Sequence, residues 1–189
     1  MSNIIELKTI RLKLRQWKEA DRIPFAQMNA DPEVMKYYPS ILTQHKSNEL
    51  LNKLMGLISQ QSWGLWAVEM LSENIFIGFV GLHKPTAHLP VYPCVEVGWR
   101  LVKTYWGQDY PTEAAKAALQ FAFQELLLNE VYSFTSVSNQ KSRAVMQRLA
   151  LINTGNNFDH PTIPEHHPLR EHVLYRITKP QWQNTLTGE

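Results

Sequence analysis

Between Thr9 and Trp17 apolar and charged residues alternate, with Ile10, Leu12 and Leu14 against Arg11, Lys13 and Arg15, the two-residue period of a half-buried strand. The period then lengthens. Ala20, Ile23, Phe25 and Met28 follow at helix-like offsets, so Lys18 to Asn29 is predicted as a helix, with Glu19 and Asp21 favouring the positive end of its dipole. A second helix is predicted from the hydroxyl N-cap Thr43 through Leu50, Leu51, Leu54, Leu57 and Ile58, closing over Ser59 to Ser62. Trp63–Met70 and Ile75–Leu82 are rich in aromatic and branched residues. With turn chemistry at 71–74, they read as an antiparallel hairpin.

His83 to Pro93 holds three prolines, which lack the N–H a ladder needs, and is predicted as a loop before a strand from Cys94 to Val102. Pro111 to Leu128 is the clearest helix: a proline at its start, Glu113 in the first turn, then alanines with Leu119, Phe121, Phe123 and Leu126. Val131–Val137 reads as a buried strand, Asn139–Leu149 as a short helix, and Thr154–Asp159 and His172–Thr178 as strands, the last followed by a polar tail. Hairpins and crossovers together imply an α+β, mixed α/β class: helices packed on a mixed sheet, in one domain spanning 1–189.

Composition narrows the function. The 189 residues are 44% hydrophobic and 19% charged, which excludes a disordered chain. Lys plus Arg exceed Asp plus Glu by 19 to 17, a net +2 with no run of five like charges, so no nucleic-acid or anionic-membrane footprint is expected. Cys94 is the sole cysteine, and Glu6 and Lys8 interrupt any signal-peptide core; a soluble, cytoplasmic protein is predicted. His160, His166, His167 and His172 lie among prolines without metal-ligand spacing, and no metal site is assigned. Trp63, Trp66, Tyr37, Tyr38 and Trp106 are read as packing residues, with no substrate assigned to any of them.

The stretch with chemical promise is a strand, a glycine-containing loop and a helix: Val95 to Leu101, Val102 to Asp109, then the helix near Pro111. Unpaired N–H groups at a helix N-terminus sit at the positive end of the dipole and can bind an anion, and Gly107 permits close approach. A plain structural turn would read the same way. Glu96 alternates with Val95 and Val97; it is either a solvated or ion-paired glutamate, or a half-buried one whose pKa rises toward the range of a general base. Asn139 and Ser142, three apart at a helix start, read first as a capping pair.

Several segments in order resemble the GNAT superfamily of acetyl-CoA-dependent N-acetyltransferases, in its ribosomal-protein alanine acetyltransferase-like branch: Thr9–Arg15, Asp31-Pro32-Glu33-Val34-Met35, Val95–Trp99, Tyr105-Trp106-Gly107-Gln108 with Thr112-Glu113-Ala114, and Ser138–Ser142. The resemblance covers nearly the whole chain. It implies a mostly antiparallel sheet with splayed middle strands, helices on both faces, and acetyl-CoA as co-substrate without a metal. By the same resemblance Val97, Trp99, Thr104, Tyr105, Trp106, Gly107, Gln108, Asp109, Tyr110, Asn139 and Ser142 hold the cofactor. Glu96 is implied as the base for an amine acceptor, small molecule or peptide, that attacks the thioester directly, and Ser142 as the acid; a homodimer is the family expectation. Two residues depart from the family's phosphate loop. Asp109 stands where a second glycine is usual and Pro111 where alanine is, so the alternative is a GNAT-fold binding or regulatory module with impaired catalysis.

Overall fold

The strands β3 (Leu65–Met70) and β4 (Ile75–His83) form the hairpin that the aromatic and branched runs predict, antiparallel from Leu65↔Gly81 to Met70↔Ile75. A register shift between Val68 and Glu69 turns both side chains inward, and both are buried. The computed structural model describes residues 4–85 and 89–187, so part of the predicted loop, 86–88, lies outside the described residues. The chain divides into two compact units: Met1–Leu82 with Gly98–Ala118, and His83–Val97 with Leu119–Glu189.

In the first unit the predicted opening strand is two strands, β1 (Leu7–Lys8) and β2 (Leu12–Arg15), paired antiparallel with Leu7 opposite Leu14. A turn at Thr9–Arg11 joins them, closed by Thr9 N–H donating to the Leu12 carbonyl at 2.9 Å. Ile10 therefore sits at a turn tip, 94% exposed, instead of beside Leu12 and Leu14. Arg15, predicted outward with Arg11 and Lys13, is buried. It is held by carboxylates: Nη1 donates to Asp21 Oδ2 at 2.7 Å and Nε to Glu69 Oε2 at 2.6 Å. Alternation alone cannot show that a charge has found partners inside.

A 3-10 turn (Glu19–Asp21) leads into α1 (Arg22–Ala30), which buries Phe25, Ala26, Met28 and Asn29; Ala20 and Ile23, predicted on that face, are exposed. The helix α2 (Gln44–Gln61) starts where predicted, with Thr43 Oγ1 accepting from Lys46 N–H, and ends at a left-handed Ser62. Its buried residues Leu51, Leu54 and Ile58 recur at three and four. The strand order in this unit is β1-β2-β3-β4-β5, where β5 is Glu96–Leu101 and contributes its residues from Gly98 on. Gly78, at φ +145°, has no room for a side chain: a Cβ there would stand 2.3 Å from the Arg100 carbonyl oxygen. A 3-10 turn at Lys103–Tyr105 then leads to α3 (Tyr110–Gln124).

In the second unit β6 (Glu130–Ser136) pairs along its whole length with β9 (Glu171–Thr178), from Glu130↔Thr178 to Ser136↔His172. The first residue of β5 joins β6 in parallel, Glu96 opposite Tyr132. The helix α3 stops at Gln124 instead of the predicted Leu128, because Leu127 turns left-handed at φ 53°. The helix α4 (Gln140–Arg148) follows its Asn139 cap.

The predicted strand Thr154–Asp159 is broken by Gly155 at φ +74°. What forms is β7 (Ile152–Asn153) and β8 (Phe158–Asp159), both against β9. The predicted polar tail is a helix, α5 (Lys179–Thr187), which packs Trp182 on Phe123 with ring centroids 5.3 Å apart. Among the described residues no helix is long and apolar enough to cross a membrane.

Candidate active site

In the first unit the loop before α3 has the backbone that its glycine predicts, and one further left-handed residue. Gly107 takes φ +77° and Asp109 φ +61°, alternating in hand around Gln108, a shape that turns successive N–H groups toward one side. Asp109 occupies the place of the usual glycine without breaking the turn, because a short polar side chain tolerates this region. Its carbonyl accepts from Glu113 N–H at 3.1 Å, so it leads directly into the helix. Pro111 falls in the first turn, where its missing N–H would have had no helical partner.

Around this loop the side chains act as braces. Trp106 Nε1 donates to the Leu101 carbonyl at 2.9 Å, Gln108 Nε2 to the Thr104 carbonyl at 3.3 Å, and Tyr110 Oη to Met70 Sδ at 3.3 Å. Tyr105 packs edge-on against Tyr110. The strongest brace is Arg11, which the sequence does not single out. Its Nη1 donates to the Gln108 carbonyl at 3.0 Å, its Nε and backbone N–H to Glu113 at 2.6 and 2.9 Å, and its guanidinium lies 4.4 Å over the Tyr110 ring. Burial alone would raise the Glu113 carboxyl, but hydrogen bonds from Thr9 and Arg11 outweigh it and hold the group below the ordinary range. The loop is thus preformed, with exposed Thr104, Gly107, Gln108 and Asp109 at its surface. Its donor set suits an oxygen anion such as a pyrophosphate.

In the second unit Glu96 opens β5 with its side chain 14% exposed, and its Oε2 lies 3.2 Å from His83 Nδ1. Burial raises its pKa above the ordinary carboxylate value, and the His83 contact only partly opposes this. The carboxylate is half-buried, as one sequence reading has it, and lies against His83, as the ion-paired alternative has it. His83 escapes sequence inspection, since it lies at the far side of the proline-rich loop from Glu96. The neighbouring Val97 is buried, while Trp99, later in β5, is half-buried. Burial, then the charges of Glu96 and Glu130, push the Cys94 thiol up to about 11, the opposite of an activated nucleophile.

Asn139 caps α4 and does more. Its Oδ1 accepts from Ser142 N–H at 3.3 Å, while Nδ2 donates to Thr135 Oγ1 at 2.9 Å and Ser142 Oγ at 3.1 Å. The capping pair is real, and it leaves the Ser142 hydroxyl, an acceptor from Asn139, with its own proton to give. His160 and His172 lie tilted to each other with ring centroids 4.9 Å apart, beside Phe134 and Phe158. Burial lowers both imidazoles, His160 to about 4. Among the described residues no three His, Cys, Asp or Glu side chains gather around a common point.

The model of the acetyltransferase (GNAT) domain family matches residues 11–151. FsC-acetyl coenzyme A-N(2)-transacetylase of Aspergillus fumigatus is 31% identical over 183 residues, covering 93% of this chain and 77% of that protein. The crystal structure of a GNAT-family acetyltransferase from Bacillus anthracis superposes with a TM-score of 0.78 at 25% identity, covering 93% of this chain and 99% of the other. A ribosomal-protein-S5-alanine acetyltransferase from Vibrio fischeri shares the fold, with a TM-score of 0.73 at 17% identity over 94% of this chain and 98% of its own.

Proposed function

Because the chain belongs to the GNAT acetyltransferase family and is an N-acetyltransferase, we propose that its donor is acetyl-CoA and its acceptor a primary amine, on a protein N-terminus or a small molecule. The amine attacks directly, in a ternary complex. The observation that carries this reading is Glu96: a half-buried carboxylate at the head of β5 with its pKa raised by burial and its orientation fixed by His83. Acetyl-CoA, when bound, supplies a thioester as the acyl donor.

The residues of the chain divide the remaining work. Backbone N–H groups of the Gly107–Tyr110 turn would hold the pyrophosphate, with Thr104, Tyr105, Trp106, Gln108 and Tyr110 shaping the loop around it. Val97, Trp99 and Asn139 would also hold the cofactor, Asn139 at its pantetheine arm. Glu96 takes a proton from the acceptor ammonium, directly or through a water, since a carboxylate with a raised pKa is a stronger base than an ordinary one. Ser142 retains a hydroxyl proton to donate. The likeness to an N(2)-transacetylase supports an amine nitrogen as acceptor, and a single half-buried thiol is compatible with a cytoplasmic setting.

The test is the release of CoA thiol with acetyl-CoA and a panel of primary amines. Glu96→Gln should lower kcat/KM by roughly 100- to 10,000-fold, the usual contribution of a positioned acid or base. A Glu96→Gln enzyme as fast as the parent would remove Glu96 from the base role.

A further inference from the structure

The first unit contains a buried arginine, Arg15, and a half-buried one, Arg100, and they are partnered differently. Arg15 is neutralised by two carboxylates, Asp21 and Glu69. Arg100, on β5, has no carboxylate within ion-pair distance among the described residues, although a guanidinium is charged at every ordinary pH. Its Nη1 donates to Asn29 Oδ1 at 2.6 Å. Its Nε is buried and donates to nothing. A buried donor without a partner is costly, and on a cationic group an anion is the ligand that would complete it.

The surroundings hold this group in place. Its guanidinium carbon lies 4.0 Å from the Tyr38 ring centroid and 5.2 Å from that of Phe79, so two rings fix the plane. Asn29 is fully buried, and its Nδ2 donates to the equally buried Ser47 Oγ at 2.9 Å. That bond orients the amide so that its oxygen, and not its nitrogen, meets Arg100. The backbone of Arg100 is clamped as well, its carbonyl lying where Gly78 would carry a side chain. Tyr38 itself is 37% exposed.

We propose that Arg100 is a specificity-determining residue that binds a carboxylate of the acceptor, so that the preferred amines also carry a carboxylate, as amino acids and acidic peptides do. The Nε and second terminal nitrogen of a guanidinium form an edge that matches a carboxylate with two parallel hydrogen bonds, and the Nε of Arg100 has no other partner. This rests on the N-acetyltransferase reading above. A purely structural stack of Arg100 between rings would need no anion.

Two measurements on the intact chain test it. In a proton–nitrogen spectrum the Nε–H resonance of Arg100, assigned by its loss in Arg100→Lys, should shift saturably with succinate at millimolar concentration and stay still with succinamide. In the thiol assay, wild-type kcat/KM should favour an amino acid over its own amide by about tenfold or more, chiefly through KM, and Arg100→Gln should bring that ratio to about one. A saturable shift with no amine turned over keeps the carboxylate site while the transferase reading fails. Amines turned over with the resonance unmoved and the same ratio in Arg100→Gln overturn the site while the transferase reading stands.

Discussion

His83 Nδ1 lies 3.2 Å from Glu96 Oε2, and this contact opposes the effect of burial on the carboxylate. Burial favours the protonated form and the imidazole favours the ionised one. Burial wins, which places proton acceptance by Glu96 above the ordinary carboxylate range.

Removing the imidazole should therefore move the pH profile in a definite direction. If Glu96 must be ionised to act, kcat/KM rises with pH through its folded pKa. His83→Ala deletes the contact that lowers that pKa, so the rising limb should shift to higher pH, and activity below the limb should fall more than activity above it. A pH–rate profile of the two proteins with one amine checks this.

The buried network around Arg15 should make the fold acid-sensitive. Burial pushes the Glu69 carboxyl up, but hydrogen bonds from Arg15 and Lys18 pull it further down, and its net pKa is lowered. Its stabilising contribution is then complete above the unfolded value of about 4.3 and is lost as pH falls through the lower folded value. Glu69→Gln should flatten that part of the melting-temperature profile. Arg15→Met, which leaves the buried Asp21 without its cation and Glu69 with Lys18 alone, should cost about 3–5 kcal/mol in denaturant unfolding.

At the phosphate loop the backbone and the charge of Asp109 can be separated. Its φ of +61° is already that of a glycine in this place, so Asp109→Gly should leave stability nearly unchanged. Asp109→Ala should lose about 1 kcal/mol for holding an ordinary side chain in the left-handed region. In either variant removal of the carboxylate should tighten CoA by less than about tenfold, the scale of one exposed charge pair near 4 Å. A gain of several hundredfold would mean that the native loop is damaged.

Asn139 joins two roles that Asn139→Asp can divide. Aspartate keeps the oxygen that accepts from Ser142 N–H but loses the donor to Thr135 and Ser142. Asn139→Ala should cost about 1 kcal/mol of stability, the usual value of a cap, and Asn139→Asp less. If Asn139 also holds cofactor, both variants should raise KM for acetyl-CoA.

Local features of the sequence were legible and long-range pairings were not. Thr43 before a helix, the 71–74 turn between branched runs, and the alanine-rich start of α3 each encode their element within a few residues. The α5 helix also had a local signal: Thr178 and Gln181 cap each other's backbone, just before Trp182. Arg15 read as surface because its partners, Asp21 and Glu69, stand 6 and 54 residues away. Glu96 and the phosphate loop were visible as residue types in a pattern, but His83, Arg11 and Arg100 acquire their roles only from the fold. Asn29 lies 71 residues from Arg100, and no spacing rule links them.

The most direct measurement is a calorimetric titration of acetyl-CoA into the purified protein. Saturable binding at one site in the micromolar range is the expected result, since the loop before α3 is preformed and Asp109 sustains its turn. No heat of binding at millimolar acetyl-CoA would contradict the assignment of that loop, and with it the proposed donor.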